Sequence, residues 1–263
     1  MKDIKLFFKN LKQYMKYATY TAKADLKTEV ANSYLNWLWW ILDPLAFMII
    51  YIYVAKIVFK ASEPHFAVFI LIGLTTWTFF ELIILGAVKL IKNHKHIISK
   101  VYIPKYILLL QRSLVYFFKT MISFGLLLLL ILFSDVELTW NLFYFFPLLA
   151  LIYIISYSFG LILLHFGVYI DDLFNLTKIV LKMLFYLSGI FYSIKKRIPK
   201  PWNNVLVKVN PVAFVIDQMR TVILYKKSPD FKMCLIWLVI SLVIGFIGIK
   251  IIHKYENSYA KIS

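Results

Sequence analysis

An all-α integral membrane protein is the fold class this sequence predicts, and three observations carry it. Six apolar runs cover most of the 263 residues: roughly Trp37 to Phe59, Phe66 to Val88, Ile107 to Phe133, Leu142 to Phe166, Ile179 to Ile194 and Met233 to Ile252. Each approaches or exceeds the about 20 residues that a bilayer-crossing helix needs. Composition agrees, with 62% hydrophobic residues, mean hydropathy +0.77 and only 16% charged residues, far from a water-soluble domain. Third, lipid offers no partner for free backbone N–H and C=O groups, so runs of this kind are read as helices.

The segment 1–36 comes first. Leu6, Phe7, Leu11, Tyr14, Met15, Tyr17 and Ala18 recur near helical spacing and are interleaved with lysines. This predicts an amphipathic helix at the cytoplasmic membrane interface. The segment is too long and too basic for a cleavable signal peptide. Lys2, Lys5, Lys9, Lys12, Lys16, Lys23 and Lys27, and again Lys89, Lys92, Lys95, Lys100 and Lys105, place both stretches in the cytoplasm. The loop Ser134–Asn141 has no lysine and carries Asp135 and Glu137, which suits the outer side. Six spans then return both termini to the cytoplasm. One stretch departs from the charge rule: residues 193–232 are outer by parity yet hold nine basic residues, among them Lys195, Lys196, Arg197 and Arg220. Pro199, Pro201, Pro211 and Pro229 punctuate it, predicting short re-entrant or interfacial helices between spans five and six. Neither an internal repeat nor a linker divides the chain, so residues 1–263 are taken as one membrane domain.

The net charge of +17 would raise nucleic-acid binding in a soluble chain. Here the lysines flank apolar runs and read as membrane anchors facing anionic lipid headgroups. Cys234 is the single cysteine, which excludes an intrachain disulfide. Charges near or inside the runs need partners or an interface to reach: Lys56, Glu81, Arg112, Lys119, Lys178 and Lys182. Lys56, Lys178 and Lys182 are placed to snorkel, and Glu81 to face a dimer interior or a lysine of another helix. Asp217 and Arg220, at i and i+3, suit a local ion pair. His94 and His96 lack the further ligands of a metal site. Asp171-Asp172 resembles half of a metal–diphosphate motif of membrane transferases, but no second acidic cluster accompanies it. A stand-alone channel or secondary transporter is the other alternative, although its spans would more often show inverted repeats.

Particular segments carry a family resemblance. LKTEVANSYLNWLWWILDPLAFMIIYIYVAKIVF (26–59), GAVKLIKNHKHIISKVYIP (86–104), VYIDDLFNLTKIVLKMLFYLSGIFYS, VNPVAFVIDQMR and the terminal YENSYAKIS resemble, in order, segments of ABC-2 type polysaccharide-export permeases. Two departures stand out: no basic residue precedes Asp171, and Gly189 stands where relatives often have proline. The resemblance implies a homodimer bound to two separate ATP-binding cassette subunits, moving a lipid-linked glycan of the teichoic acid, O-antigen, rhamnan or capsule type through the bacterial cytoplasmic membrane.

No GxxxxGK[ST] phosphate loop occurs, so ATP and Mg would sit on the partner and this chain would bind no cofactor, catalyse nothing and hold no metal. Within that frame residues 89–106 form a coupling loop, with Lys92, Asn93, His94, Lys95, His96, Ile97, Lys100, Asp171 and Asp172 facing the ATPase. Tyr51, Tyr53, Phe185, Tyr186, Phe191 and Tyr192 are the expected translocation lining, because aromatic faces stack on sugar rings without fixing one sugar sequence. Lys9, Lys12, Lys16 and Lys23 are the expected attraction for an anionic lipid head, and membrane lipids rather than nucleic acid are the remaining partners.

Overall fold

A computed structural model describes residues 2–31, 36–54, 63, 65–98, 100–134, 136–137 and 139–262. Its elements are all helical: α1 (Lys2–Ala31), α2 (Trp39–Tyr53), α3 (Phe66–Asn93), α4 (Lys95–Ile98), α5 (Lys105–Leu132), α6 (Phe145–Tyr169), α7 (Leu173–Leu187), α8 (Ile194–Arg197), α9 (Trp202–Val209), α10 (Pro211–Ile223) and α11 (Phe231–Ile262), with short 3-10 turns at Asn36–Leu38 and Trp140–Tyr144. Among the described residues four stretches are long and apolar enough to cross a membrane: Phe66–Asn93, Lys105–Leu132, Trp140–Tyr169 and Phe231–Glu256. These are the second, third, fourth and sixth expected spans. The first expected span is seen as the 15-residue α2, the rest of it lying outside the described residues together with Lys56.

Span five departs from its expected limits of Ile179 to Ile194. The helix starts earlier, at Leu173, and stops at Leu187 after 15 residues. That is about 22 Å of helix against roughly 30 Å of hydrocarbon. Ser188 caps it and Gly189 follows at φ +65°, a conformation that L side chains rarely adopt. A Cβ there would also lie 2.5 Å from Ile194 Cγ1, so glycine performs the break through backbone freedom rather than through a missing donor. The chain then folds back through α8, α9 and α10.

Three short helices, α8, α9 and α10, therefore lie between α7 and α11, and α10 is the buried one. Asn210 starts it, its side chain accepting from the backbone N–H of Val212 (3.0 Å) and Ala213 (3.2 Å) with Pro211 at the first helical position. Val215, Ile216 and Met219 are fully buried against α3 and α6.

The centre of the bundle is α3. Of its apolar window 78% is buried, against 28% for α11, which leaves most of α11 exposed. Helices α2, α5, α6, α7 and α10 surround α3, while α11 packs along α6. The α3–α6 contact needs Gly167, whose added Cβ would sit 2.1 Å from the carbonyl oxygen of Val88. The α6–α11 contact uses Gly245 and Gly248, close against Ser158 and Leu161. Small residues of this kind let helix backbones approach where lipid gives no hydrophobic drive to associate.

At the other end of the bundle a second apolar core joins α1, α3, α5, α6 and α11 around Tyr106, Ile107, Leu108 and Ile252. Here α1 is amphipathic as expected. Its Ala18 and Ala22 are buried, Phe7, Leu11, Tyr14 and Tyr17 pack on that core, and Lys9, Lys12, Lys16 and Lys23 are exposed on the opposite side. Instead of resting only on an interface, α1 runs alongside α5 from Tyr106 to Lys119. Asn10 donates to Tyr106 Oη (2.7 Å), Gln111 donates to Asp25 (2.7 Å), Arg112 lies 3.6 Å from Asp25, and Glu29 pairs with Lys119. Thus the two deepest cations of the third span are matched by carboxylates of the N-terminal helix.

Candidate functional site

Two groups of the sequence-selected residues converge. The first is a polar cap where α3 ends. His94 closes the helix with its Nδ1 on the carbonyl oxygen of Leu90 (2.9 Å), and the four-residue α4 turns the chain toward Pro104, which opens α5. Lys92, Asn93, Lys95, His96 and Lys100 are exposed, and the side chain of Ile97 lies outside the described set. Ile98 and Ile103 anchor the cap from below, while Val101 and Tyr102 stay exposed at 55% and 60%. Lys92 reaches across to Asp171 between α6 and α7 (2.5 Å), so residues 79 positions apart share one surface. The Lys92 hydrogen bond, then its charge, hold the Asp171 carboxyl below the usual carboxylate range. Asp172 is exposed and precedes α7 without a side-chain cap.

The second group is an aromatic belt where α2 meets the end of α7. Tyr51 and Phe191 have ring centroids 4.4 Å apart, Phe185 and Phe191 5.2 Å, and Phe185 and Tyr186 5.4 Å. Tyr192 donates its hydroxyl to the backbone carbonyl of Tyr186 (2.9 Å). Five of the six expected residues thus form one connected set, with Tyr186 exposed at 59%. Tyr53 is exposed at 60% and outside these ring contacts. Sequence reasoning missed Trp77, whose ring meets Phe185 at 5.5 Å and whose indole N–H donates to Glu81 (3.0 Å). The i, i+4 spacing of Trp77 and Glu81 is the signal that was available. Among the described residues Glu81 accepts from that indole and pairs with no lysine of another helix.

A further expectation is corrected. Arg220 does not pair with Asp217 across one helical turn. Its guanidinium donates to the carbonyl oxygens of Phe69 (3.0 Å), Gly189 (2.7 Å) and Ile190 (2.8 Å), filling the space that Gly73 leaves open. The break after α7 exposes carbonyls that lipid cannot satisfy, and a buried five-donor fork satisfies them. Asp217 takes Lys195 instead (2.6 Å). At the same end, Glu63 pairs with Lys196 (2.6 Å) and Glu137 with Lys226 (2.5 Å), while Asp135 lies outside the described residues. Three of the nine basic residues of 193–232 are thereby paired with carboxylates, two of which come from outside the segment. Among the described residues no group of three or more His, Cys, Asp or Glu side chains is arranged to hold a metal ion.

A sequence profile of the ABC-2 type transporter family matches residues 20–224. The chain belongs to that family. Among its relatives are O-antigen export system permease protein RfbA of Myxococcus xanthus, 21% identical over 96% of this chain and 97% of the relative, and a protein of the same name from Klebsiella pneumoniae, 23% identical over 90% and 91%. Both alignments run nearly end to end, so they include the cap, the belt and α10. As an ABC-2 type permease, the chain is a multi-pass transport subunit of a family that works with an ATP-binding cassette partner.

Proposed function

We propose that this permease exports a lipid-linked polysaccharide across the bacterial cytoplasmic membrane as a homodimer driven by two ATPase subunits, which hold ATP and Mg. The observation that carries the substrate class is the aromatic belt, combined with near full-length similarity to permeases named for O-antigen export. Rings at 4.4 to 5.4 Å with tyrosine hydroxyls beside them offer stacking faces and hydrogen bonds to sugars of varied identity. Apolar side chains exposed on α2 (Phe47, Ile50) and α7 (Ile179, Met183) flank the belt and supply a face for a second copy. The cap bearing Lys92, Lys95, His96 and Lys100 is the contact for the ATPase, on the basic, cytoplasmic side.

The experiment is ATP hydrolysis by the partner in lipid, measured alone, with this chain, and with this chain lacking Lys92 to Lys100. Because that deletion removes α4, a second variant, Lys95→Ala/His96→Ala, retains the backbone. Stable assembly with hydrolysis altered by the chain, and loss of that coupling in both variants, is expected. Failure to associate with an ATPase would return the choice to a stand-alone channel.

A further inference from the structure

The start of α5 is held by a carboxylate from near the end of the chain. Glu256, in the last two turns of α11, is 7% exposed and reaches three groups at the junction between the cap and α5. Its Oε1 accepts the backbone N–H of Lys105 (3.3 Å) and lies 3.8 Å from the Lys105 ammonium, while its Oε2 accepts from the Tyr102 hydroxyl (3.1 Å). Pro104 opens α5 without a side-chain cap, so Glu256 caps that helix from another one. Its negative charge also faces the positive end of the α5 dipole. The Lys105 side chain is 4% exposed, and among the described residues Glu256 is the carboxylate within 4.0 Å of it. Loss of either partner alone strands a buried charge.

Tyr102 links this junction to the cap surface. Its ring is exposed at 60%, beside Val101 at 55%, while its hydroxyl is tied to α11. A partner pressing on the cap therefore meets a side chain whose far end is held by the last helix. Helix α11 runs unbroken to the opposite end of the bundle, with about 28 Å of helix between Glu256 and Trp237. There the Trp237 indole N–H donates to the carbonyl oxygen of Lys208 in the last turn of α9 (3.2 Å), and the backbone N–H of Asp230 donates to Gln218 Oε1 of α10 (2.7 Å). Between these ends α11 rests mainly on α6, so a displacement at one end is passed along a rigid element with one principal neighbour.

We propose that α11 is a strut that transmits displacement of the cap to α9 and α10, with Glu256 as the positioning residue that latches it to Tyr102 and to the start of α5. The proposal rests on the exporter reading for what moves the cap, since the ATPase is the agent assigned to that face. It gives the last helix a part in transmission beside that of α1.

The test uses the purified permease–ATPase complex in nanodiscs, with hydrogen exchange at the cap and over residues 202–223 read with and without ATP, Mg and vanadate. Two variants separate transmission from folding. Tyr102→Phe removes one hydroxyl, and Lys105→Met/Glu256→Met replaces the buried ion pair by apolar side chains, an exchange that often leaves stability unchanged. Both are expected to assemble with the ATPase and to keep a thermal midpoint within about 4 °C of wild type. In wild type, nucleotide alters exchange at both places. In both variants the cap response stays, while the response over residues 202–223 and the stimulation of hydrolysis each fall about fivefold or more.

A response over residues 202–223 equal to wild type in Tyr102→Phe overturns the strut, and so does a wild type in which nucleotide alters the cap and leaves those residues unchanged. Loss of that response in Asp25→Ala, with Tyr102→Phe unaffected, assigns transmission to α1 and overturns it as well. Should the Met pair fail to fold, Tyr102→Phe carries the decision, because it leaves the ion pair and the capped start of α5 in place. The exporter reading is judged separately, by association of the wild-type chain with the ATPase. Association with wild-type stimulation in Tyr102→Phe sinks the strut alone. Without association the exporter reading falls, and the strut is read on the permease by itself: Tyr102→Phe raises exchange over residues 202–223 if α11 links the two ends, and unchanged exchange overturns the link.

Discussion

Substituting Asp25 with alanine removes the acceptor that holds α1 against α5. Gln111 is 4% exposed and donates to Asp25 at 2.7 Å, and Arg112 lies 3.6 Å from the same oxygen. A hydrogen bond to a charged group contributes about 1.5–3 kcal/mol, and orphaning a buried amide costs about 1–3 kcal/mol. The Asp25 and Arg112 side chains are 33% and 32% exposed, so solvent screens part of the charge term. Together these give about 2 kcal/mol for Asp25→Ala, or a fall of roughly 4–8 °C in thermal midpoint for a chain of this size.

The discriminating assay is a double-mutant cycle with Gln111→Leu, read by thermal unfolding in nanodiscs and by tryptic cleavage of α1. Replacing both partners by apolar groups is far cheaper than replacing one, so the double variant should recover about 1–2 kcal/mol relative to the sum of the singles. Lys23→Ala, on the exposed face of the same helix, should change stability by less than about 0.5 kcal/mol. Additive effects at Asp25 and Gln111 to within about 0.5 kcal/mol, or unchanged cleavage of α1 in Asp25→Ala, would refute the docking argument.

Gly167→Ala should destabilise by about 1–3 kcal/mol or more, because its Cβ would meet the Val88 carbonyl at 2.1 Å; Gly125→Ala, with nothing within 4 Å, should be neutral or mildly stabilising, both read as thermal midpoints. Arg220→Lys loses the fork that serves the Phe69, Gly189 and Ile190 carbonyls, and hydrogen exchange around Gly189 should rise, with no change expected at α4. Lys92→Ala should lower ATPase coupling while leaving the thermal midpoint in place, since the pair with Asp171 is solvent-exposed. Because the folded Asp171 carboxyl is depressed, its contribution is present above the unfolded pKa and lost only as pH falls through the lower folded value. Coupling through this contact should therefore be flat between pH 6 and 8, and a step there in the wild type absent from Lys92→Ala would contradict the assignment.

Apolar runs, the amphipathic N-terminal segment, the weak point at Gly189 and the proline-punctuated helices before α11 were all legible, because each depends on local composition or spacing. Their partners were not. Asp25 and Gln111 are 86 residues apart, and Arg220 finds its carbonyls 151 and about 30 residues upstream. An i, i+3 pair such as Asp217 and Arg220 looks complete in sequence, yet burial reverses the choice. Lys195 supplies Asp217 at the exposed end, while the broken helix after Leu187 presents carbonyls that only a long buried donor can serve. The local rule lost to a nonlocal demand for backbone hydrogen bonds in a place without water.

The same demand accounts for where charge remains unmatched. At the α1–α5 seam Arg112 and Lys119 have carboxylates from α1, Lys105 at the start of α5 has Glu256 of α11, and at the opposite end Lys195, Lys196 and Lys226 have Asp217, Glu63 and Glu137. A chain with 30 basic and 13 acidic residues cannot pair them all, so the informative cations are those left unpaired beside a cavity rather than in open solvent. Lys9, Lys12, Lys16 and Lys23 are exposed on a helix face where anionic lipid headgroups can neutralise them. Lys89 lines a cavity and lies over the Phe174 ring, which Lys178 also approaches.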